Sequence, residues 1–262
     1  MRWLGQYHRR ADVKLKLTAL LVMVAACSTA SAPSSNSGAL PHGVVIKKLD
    51  AGMVESLPTG SVYVRFIRFV SPAGYVINSK QHVPSVIYVE SGVQRLTLAG
   101  QVPIDLVAGQ AKFHQSVTHQ HLNAGPDMSV WYSIAVWPSS ARGQPLVDPI
   151  ATTAFGSVDI DRATLPQVAY SEVLRQVTLA GRGTTGAHRF GGLVAFYVLS
   201  GSVSIKSAHH SPTILAAGQG AAFLPDTGLV ENNAGTDQAV FLEFFVTPVG
   251  TEFEVPLPQP PV

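Results

Sequence analysis

The sequence predicts an all-β protein made of two tandem copies of one closed β domain, and three observations carry that expectation. From Val44 onward, short apolar or alternating runs such as Val62-Tyr-Val-Arg-Phe-Ile-Arg-Phe-Val70 and Val240-Phe-Leu-Glu-Phe-Phe-Val246 are broken by Gly, Pro and Asn. That is the pattern of strands joined by tight turns. The chain also matches itself at an offset of 108 to 110 residues, the signature of a duplicated unit. Finally, 46% of the 262 residues are hydrophobic and only 13% charged, about half the usual ~25% charge, which excludes disorder for most of the chain.

Taken in chain order, residues 1–26 read as a secretory leader. A basic head ends at Lys16 and is followed by the ten-residue apolar run Leu17–Ala26. That run is too short to span ~30 Å of hydrocarbon and fits the apolar region of a signal peptide. It closes on Val24-Ala25-Ala26-Cys27, and Cys27 is the only cysteine of the chain. No intramolecular disulfide can form. The four residues resemble the lipobox of bacterial lipoproteins, which implies lipid attachment at Cys27, cleavage before it, and export to the cell envelope. Residues 27–43, small and polar after the cysteine, read as a flexible tether. Five of the 18 Lys and Arg residues fall in the leader against Asp12 alone. The rest of the chain is therefore slightly acidic and offers no basic stripe for a nucleic acid.

The two copies occupy residues 44–150 and 151–262, joined by the Pro-, Ser- and Gly-rich linker Pro138–Thr153. Val86-Ile-Tyr-Val-Glu-Ser-Gly92 matches Ala195-Phe-Tyr-Val-Leu-Ser-Gly201, and Leu106-Val-Ala-Gly-Gln110 matches Leu215-Ala-Ala-Gly-Gln219. Asn123-Ala-Gly125 matches Asn233-Ala-Gly235, and Leu57-Pro58 matches Leu165-Pro166. Gly92 and Gly201 stand where a tight turn needs positive φ. One short helix is expected around Pro166–Leu174.

A strand ending Tyr-Val-x-Ser-Gly, then Leu-x-Ala-Gly-Gln, then Asn-x-Gly before a last aromatic strand resembles the cupin superfamily, twice over. The resemblance covers nearly all of the chain after the tether. It implies two tandem cupin-like jelly-roll barrels. In catalytic cupins it also implies a divalent metal held by a His-x-His pair, a Glu and a further His. In the second copy those positions fall on His188, Phe190, Val194 and Leu229, so one ligand of four survives. No metal is expected there, and the four residues are expected to line a pocket. In the first copy Ser85 takes the Glu position and His82 lies one residue out of register, needing a bulge between Gly74 and Val86. His119 keeps the His-x3-Asn spacing to Asn123, and His121, two residues on, shares its strand face. His82, His119 and His121 are thus the candidate ligands for a divalent transition metal. His114 is expected on the surface, and His209 and His210 in a polar turn.

Arg65 and Arg68 fall on opposite faces of one strand, so at most one points inward; Arg175 lies near the equivalent place in the second copy. Such arginines are expected to be solvated or paired with Glu90 or Glu172. No catalytic residue stands out: there is no Gly-x-Ser-x-Gly elbow, phosphate loop or CxxC pair. Three functions fit. One is a membrane-anchored protein binding a small molecule or envelope component without catalysis, for which lost ligands in both barrels speak. A second is a metal-dependent enzyme of dioxygenase, decarboxylase or isomerase type. The third is a structural lipoprotein, whose barrels pair with each other or in a homo-oligomer. The lipid membrane and a small molecule are the expected partners.

Because Cys27 is the sole thiol, Cys27→Ser is expected to release the protein from membranes or leave it unprocessed. Membrane fractionation and gel mobility check this; a mature-sized variant still in membranes would refute lipidation.

Overall fold

The computed structural model describes residues 41–78, 81–146, 148–208 and 211–258. The leader, Cys27, the tether through residue 40, His209 and His210 lie outside the described residues. No helix among those described is long and apolar enough to cross a membrane.

The first half runs through β1 (His42–Val54), β2 (Val62–Ser71), β3 (Val76–Asn78), β4 (Ser85–Ser91) and β5 (Val93–Leu98). It continues with β6 (Ile104–Val107), β7 (Ala111–His114), β8 (His119–Asn123) and β9 (Ser129–Pro138). The second half repeats the order with β10 (Ala151–Gly156), β11 (Tyr170–Thr184), β12 (His188–Phe190), β13 (Leu193–Ser200) and β14 (Ser202–Ser207). β15 (Thr213–Ala216), β16 (Gly220–Phe223), β17 (Gly228–Asn232), β18 (Ala239–Pro248) and β19 (Glu254–Pro256) complete it. The two tandem jelly-roll barrels expected from the repeat are present.

Barrel 1 is a five-stranded sheet, β10-β2-β9-β4-β7, facing a four-stranded sheet, β3-β8-β5-β6. Barrel 2 repeats both as one continuous sheet, because Thr184 of β11 pairs with Asn232 of β17. The opening strand of each half crosses over: β1 pairs with β11, and β10 pairs with β2. Each large sheet thus carries a strand from outside its own repeat. Gly92 and Gly201 take φ of 79° and 73° at the β4–β5 and β13–β14 turns, and a Cβ on either would lie within 3.0 Å of the facing backbone. Only glycine fits both demands.

The expected helix at Pro166–Leu174 is not formed. A 3-10 turn, Arg162–Thr164, capped by the Asp161 side chain, precedes it, and β11 begins at Tyr170. Apolar residues there follow no helical stripe. They are buried on both sides of a strand, with Leu174 packed between the barrels and Val173 inside barrel 2.

Alternate residues of the large sheets serve two cores. Phe66, Tyr88, Ile134, Leu174, Tyr197 and Phe244 build a shared core between the sheets. Ile67, Phe69, Ile87, Leu96 and Trp131 fill barrel 1, and Val177, Phe196, Phe241 and Phe245 fill barrel 2. Phe66 sits at the centre of the shared layer, stacked on Tyr197 at 5.4 Å and edge-on to Phe155 at 5.8 Å.

Phe66→Ala is expected to destabilise the fold by about 3–5 kcal/mol, with both barrels still unfolding in one urea transition because they share the layer it opens. Glu172, buried in β11 with Oε2 unpartnered, is raised from its ordinary 4.5 to about 8 by burial alone. Between those values the folded chain keeps a proton that the unfolded chain releases, so stability falls as pH rises through that window. Glu172→Gln is expected to stabilise the protein more at pH 8 than at pH 5, read by denaturant midpoints.

Candidate functional site

Barrel 1 gathers histidines at one end. β7 pairs with β4 so that His114 faces Ser85, and equal register puts both side chains inside the barrel. His114 is therefore buried rather than on the surface, with Nε2 2.9 Å from Ser85 Oγ. His119 and His121 share the inner face of β8 as expected, both buried. His82 does not lie on a strand, so strand parity and the expected bulge do not constrain it. From the loop after β3 its Nε2 reaches within 3.2 Å of His119 Nε2.

The ligand atoms of His82, His114 and His119 all lie within 4.8 Å of one another. His121 is not in this group: its ring stacks on Trp131 at 4.4 Å and meets His119 edge-on at 4.9 Å, leaving Nδ1 unpartnered. The cluster thus takes two of the three expected ligands and replaces the third with His114.

Orientation of the three rings follows from their other nitrogens. Nδ1 of His82, His114 and His119 lies 2.7–2.8 Å from the carbonyl oxygens of Val83, Gln115 and Val117 respectively. A carbonyl only accepts, so each Nδ1 carries the proton and each neutral ring presents a lone pair at Nε2. Two lone pairs 3.2 Å apart repel unless a cation lies between them. Burial holds all three rings below the usual histidine range, His114 at about 4, with charge on neighbouring histidines adding to the effect on His82 and His114. His121 is pushed lower still, again mainly by burial. A proton is therefore a poor bridge. A tetrahedral metal with N distances of about 2.0–2.1 Å would set its nitrogens roughly 3.3 Å apart. Backbone carbonyls on the far ring nitrogens are the usual support of such ligands.

Beside the cluster lies a cavity of about 250 Å³ walled by Ile67, Phe69, Trp131, Trp137 and Leu146, with Arg65, His82 and His121 at its surface. Ala141, Gln144, Pro145, Leu146, Asp148 and Ala151 of the linker form part of its wall. The linker is therefore a piece of the site as well as a spacer.

Barrel 2 places Phe190, Val194, Leu229 and His188 together in its buried interior. Among the described residues, no group of three metal-ligating side chains forms there. Its interior holds charges that the sequence reading did not find. Arg175 pairs with Glu243 and, at 2.7 Å, with Glu254, rather than with Glu172. Its guanidinium lies 4.7 Å from the Phe245 ring centroid and 5.2 Å from that of Phe190. Glu231 accepts from the Thr185 hydroxyl and stands 3.4 Å from His188 Nε2. Burial opposes charging His188, yet Glu231 holds it above its ordinary value. Burial lifts Glu243 to about 7 against the pull of Arg175. Glu90 accepts from the Tyr132 hydroxyl instead of an arginine. A lone Glu inside Val240–Val246, an otherwise apolar run, was the available signal for an inward charge.

No protein-family model and no curated protein matches the chain. Solved structures do. An oxalate decarboxylase of Lactobacillus farciminis in a formate complex superposes with TM-score 0.56 at 11% identity, over 86% of this chain and 91% of that one. An oxalate decarboxylase of Bacillus subtilis gives 0.56 at 11%, over 86% and 82%. AerE from Microcystis aeruginosa gives 0.50 at 15%, over 80% and 99%. At these identities the likeness shows the fold, a pair of cupin-like jelly-roll barrels.

Proposed function

We propose that barrel 1 binds a small molecule beside a transition-metal ion held by His82, His114 and His119, in a protein tethered to the cell envelope through Cys27. The observation that carries the metal is the convergence of three Nε2 lone pairs whose rings are fixed by backbone carbonyls. The donor set is neutral and borderline-soft, which suits zinc and its neighbours in the first transition row. Three protein ligands leave a coordination position for substrate, where such an ion supplies Lewis acidity.

The donor set favours binding over turnover. Ser85 stands where the resemblance puts a carboxylate, and the cluster contains no acid. His82 alone belongs both to the cluster and to the cavity wall, so a ligand in the cavity would meet the ion's open side there. The tether rests on the leader and on Cys27 being the only cysteine.

Zinc titration of the purified chain by calorimetry is expected to show one equivalent bound, lost in His119→Ala and in His114→Ala and retained in His121→Ala. Affinity should fall as pH drops, since the imidazoles must be neutral to ligate. Binding that is absent, or indifferent to His114 and His119, would refute the metal centre.

A further inference from the structure

Arg65 and Arg175 are both buried on inward faces of the equivalent strands β2 and β11. Their surroundings differ in one respect. Arg175 is met by the carboxylates of Glu243 and Glu254. Arg65 has no carboxylate within ion-pair distance among the described residues; its Nε and Nη2 donate, at 3.2 and 2.8 Å, to the single hydroxyl of Thr153. A guanidinium has five N–H donors in a fork that matches a carboxylate, and a buried charge without a counter-charge is costly.

Arg65 lies at the wall of the 250 Å³ cavity, its guanidinium carbon 5.8 Å from the Trp137 ring centroid. Two residues of that wall, Trp137 and His121, each carry a buried ring nitrogen without a partner, Nε1 and Nδ1. Asp148 also lines the cavity, but it already accepts from the Tyr75 hydroxyl and the Ile150 N–H. Unspent donors therefore outnumber unspent acceptors. The remaining wall is apolar and aromatic, with Phe69 and Trp131 stacked face to face at 3.9 Å.

We propose that the cavity of barrel 1 takes a compact organic acid, its carboxylate on Arg65 and its apolar body against Phe69, Trp131 and Trp137. The incoming carboxylate plays toward Arg65 the part that Glu243 and Glu254 play toward Arg175. The volume lies just under the ~300 Å³ at which ordinary ligand pockets begin, which limits the body to about one ring or a short chain. This inference rests on the reading of barrel 1 as a ligand site.

The test is calorimetric titration of the full chain with benzoate and with hexanoate, each beside its neutral amide, in the presence and absence of zinc. At least one acid is expected to bind one to one, with its amide roughly thirtyfold weaker or worse, as for loss of one partner of a buried charge pair. Arg65→Gln is expected to bring the acid down to the level of its amide while leaving zinc binding intact. Equal binding of acid and amide, no binding of either acid, or an acid affinity indifferent to Arg65→Gln would overturn the proposal. Should Arg65→Gln fail to fold, the acid–amide comparison on the unaltered chain still decides. A chain that loads zinc on its histidines yet binds no acid overturns this inference and leaves the metal centre standing; one that binds acid but no zinc does the reverse.

Discussion

The layer of side chains between the five-stranded sheet of barrel 1 and the facing strands β11, β18 and β13 of barrel 2 is the constraint on which the rest of the molecule depends. Each sheet is buried on both faces, so a single strand must satisfy two cores at once. Phe66 looks toward the other barrel while Ile67 looks into its own, and Phe244 and Phe245 divide in the same way. Burial of this much apolar area is the main favourable term in folding. It also fixes the sheets face to face. The crossing strands add a second link. β1 lies along β11 and β10 along β2, so neither barrel is complete without chain from the other half. Arg65 shows what this does for the site: its supporting hydroxyl, Thr153, comes from the crossing strand β10.

One frame holds two different interiors. In barrel 1, Ile67 of β2 pairs with Ser133 of β9. The matching register in barrel 2 places Arg175 of β11 opposite Glu243 of β18. A long ion pair under Phe190, Phe245 and Phe253 fills that space in barrel 2. The shorter Ile67 and Ser133 both line the cavity in barrel 1. Duplication gave each half the same strands, and a handful of inward residues made one interior self-sufficient and left the other open. A buried arginine with internal carboxylates is closed chemistry. One with a hydroxyl and a cavity is a docking point.

Much of the fold was legible in the sequence because a repeat of 108 to 110 residues repeats turn glycines and strand ends together. The site was less so. His119 could be read from its spacing to Asn123, since both belong to one strand. His114 could not, because its inward direction depends on β7 lying beside β4 with His114 opposite Ser85, a pairing between residues 29 apart. His82 was read with strand parity, but a loop carries it, and loops are free of the period of two. The misplaced helix had a related cause. Every residue of Tyr170–Arg175 is buried or half-buried, and the polar Ser171, Glu172 and Arg175 set among the apolar ones blur the alternation that separates strand from helix.

Burial pushes the buried histidines of both barrels toward the neutral form, yet they end on opposite sides of the ordinary histidine range. In barrel 1 the rings face one another with no acid among them, so desolvation is unopposed and the neutral form wins. In barrel 2 His188 meets Glu231, and the carboxylate outweighs desolvation. The difference traces to position 121 in one copy and 231 in the other. These residues hold the same place two before the matching asparagines of the repeat, Asn123 and Asn233; one is an imidazole and the other an acid. Where the acid stands, the histidine becomes half of an ion pair. Where it is absent, the same burial that strips the protons leaves the rings neutral, with the Ser85 hydroxyl beside His114 Nε2 and the lone pairs of His82 and His119 facing each other.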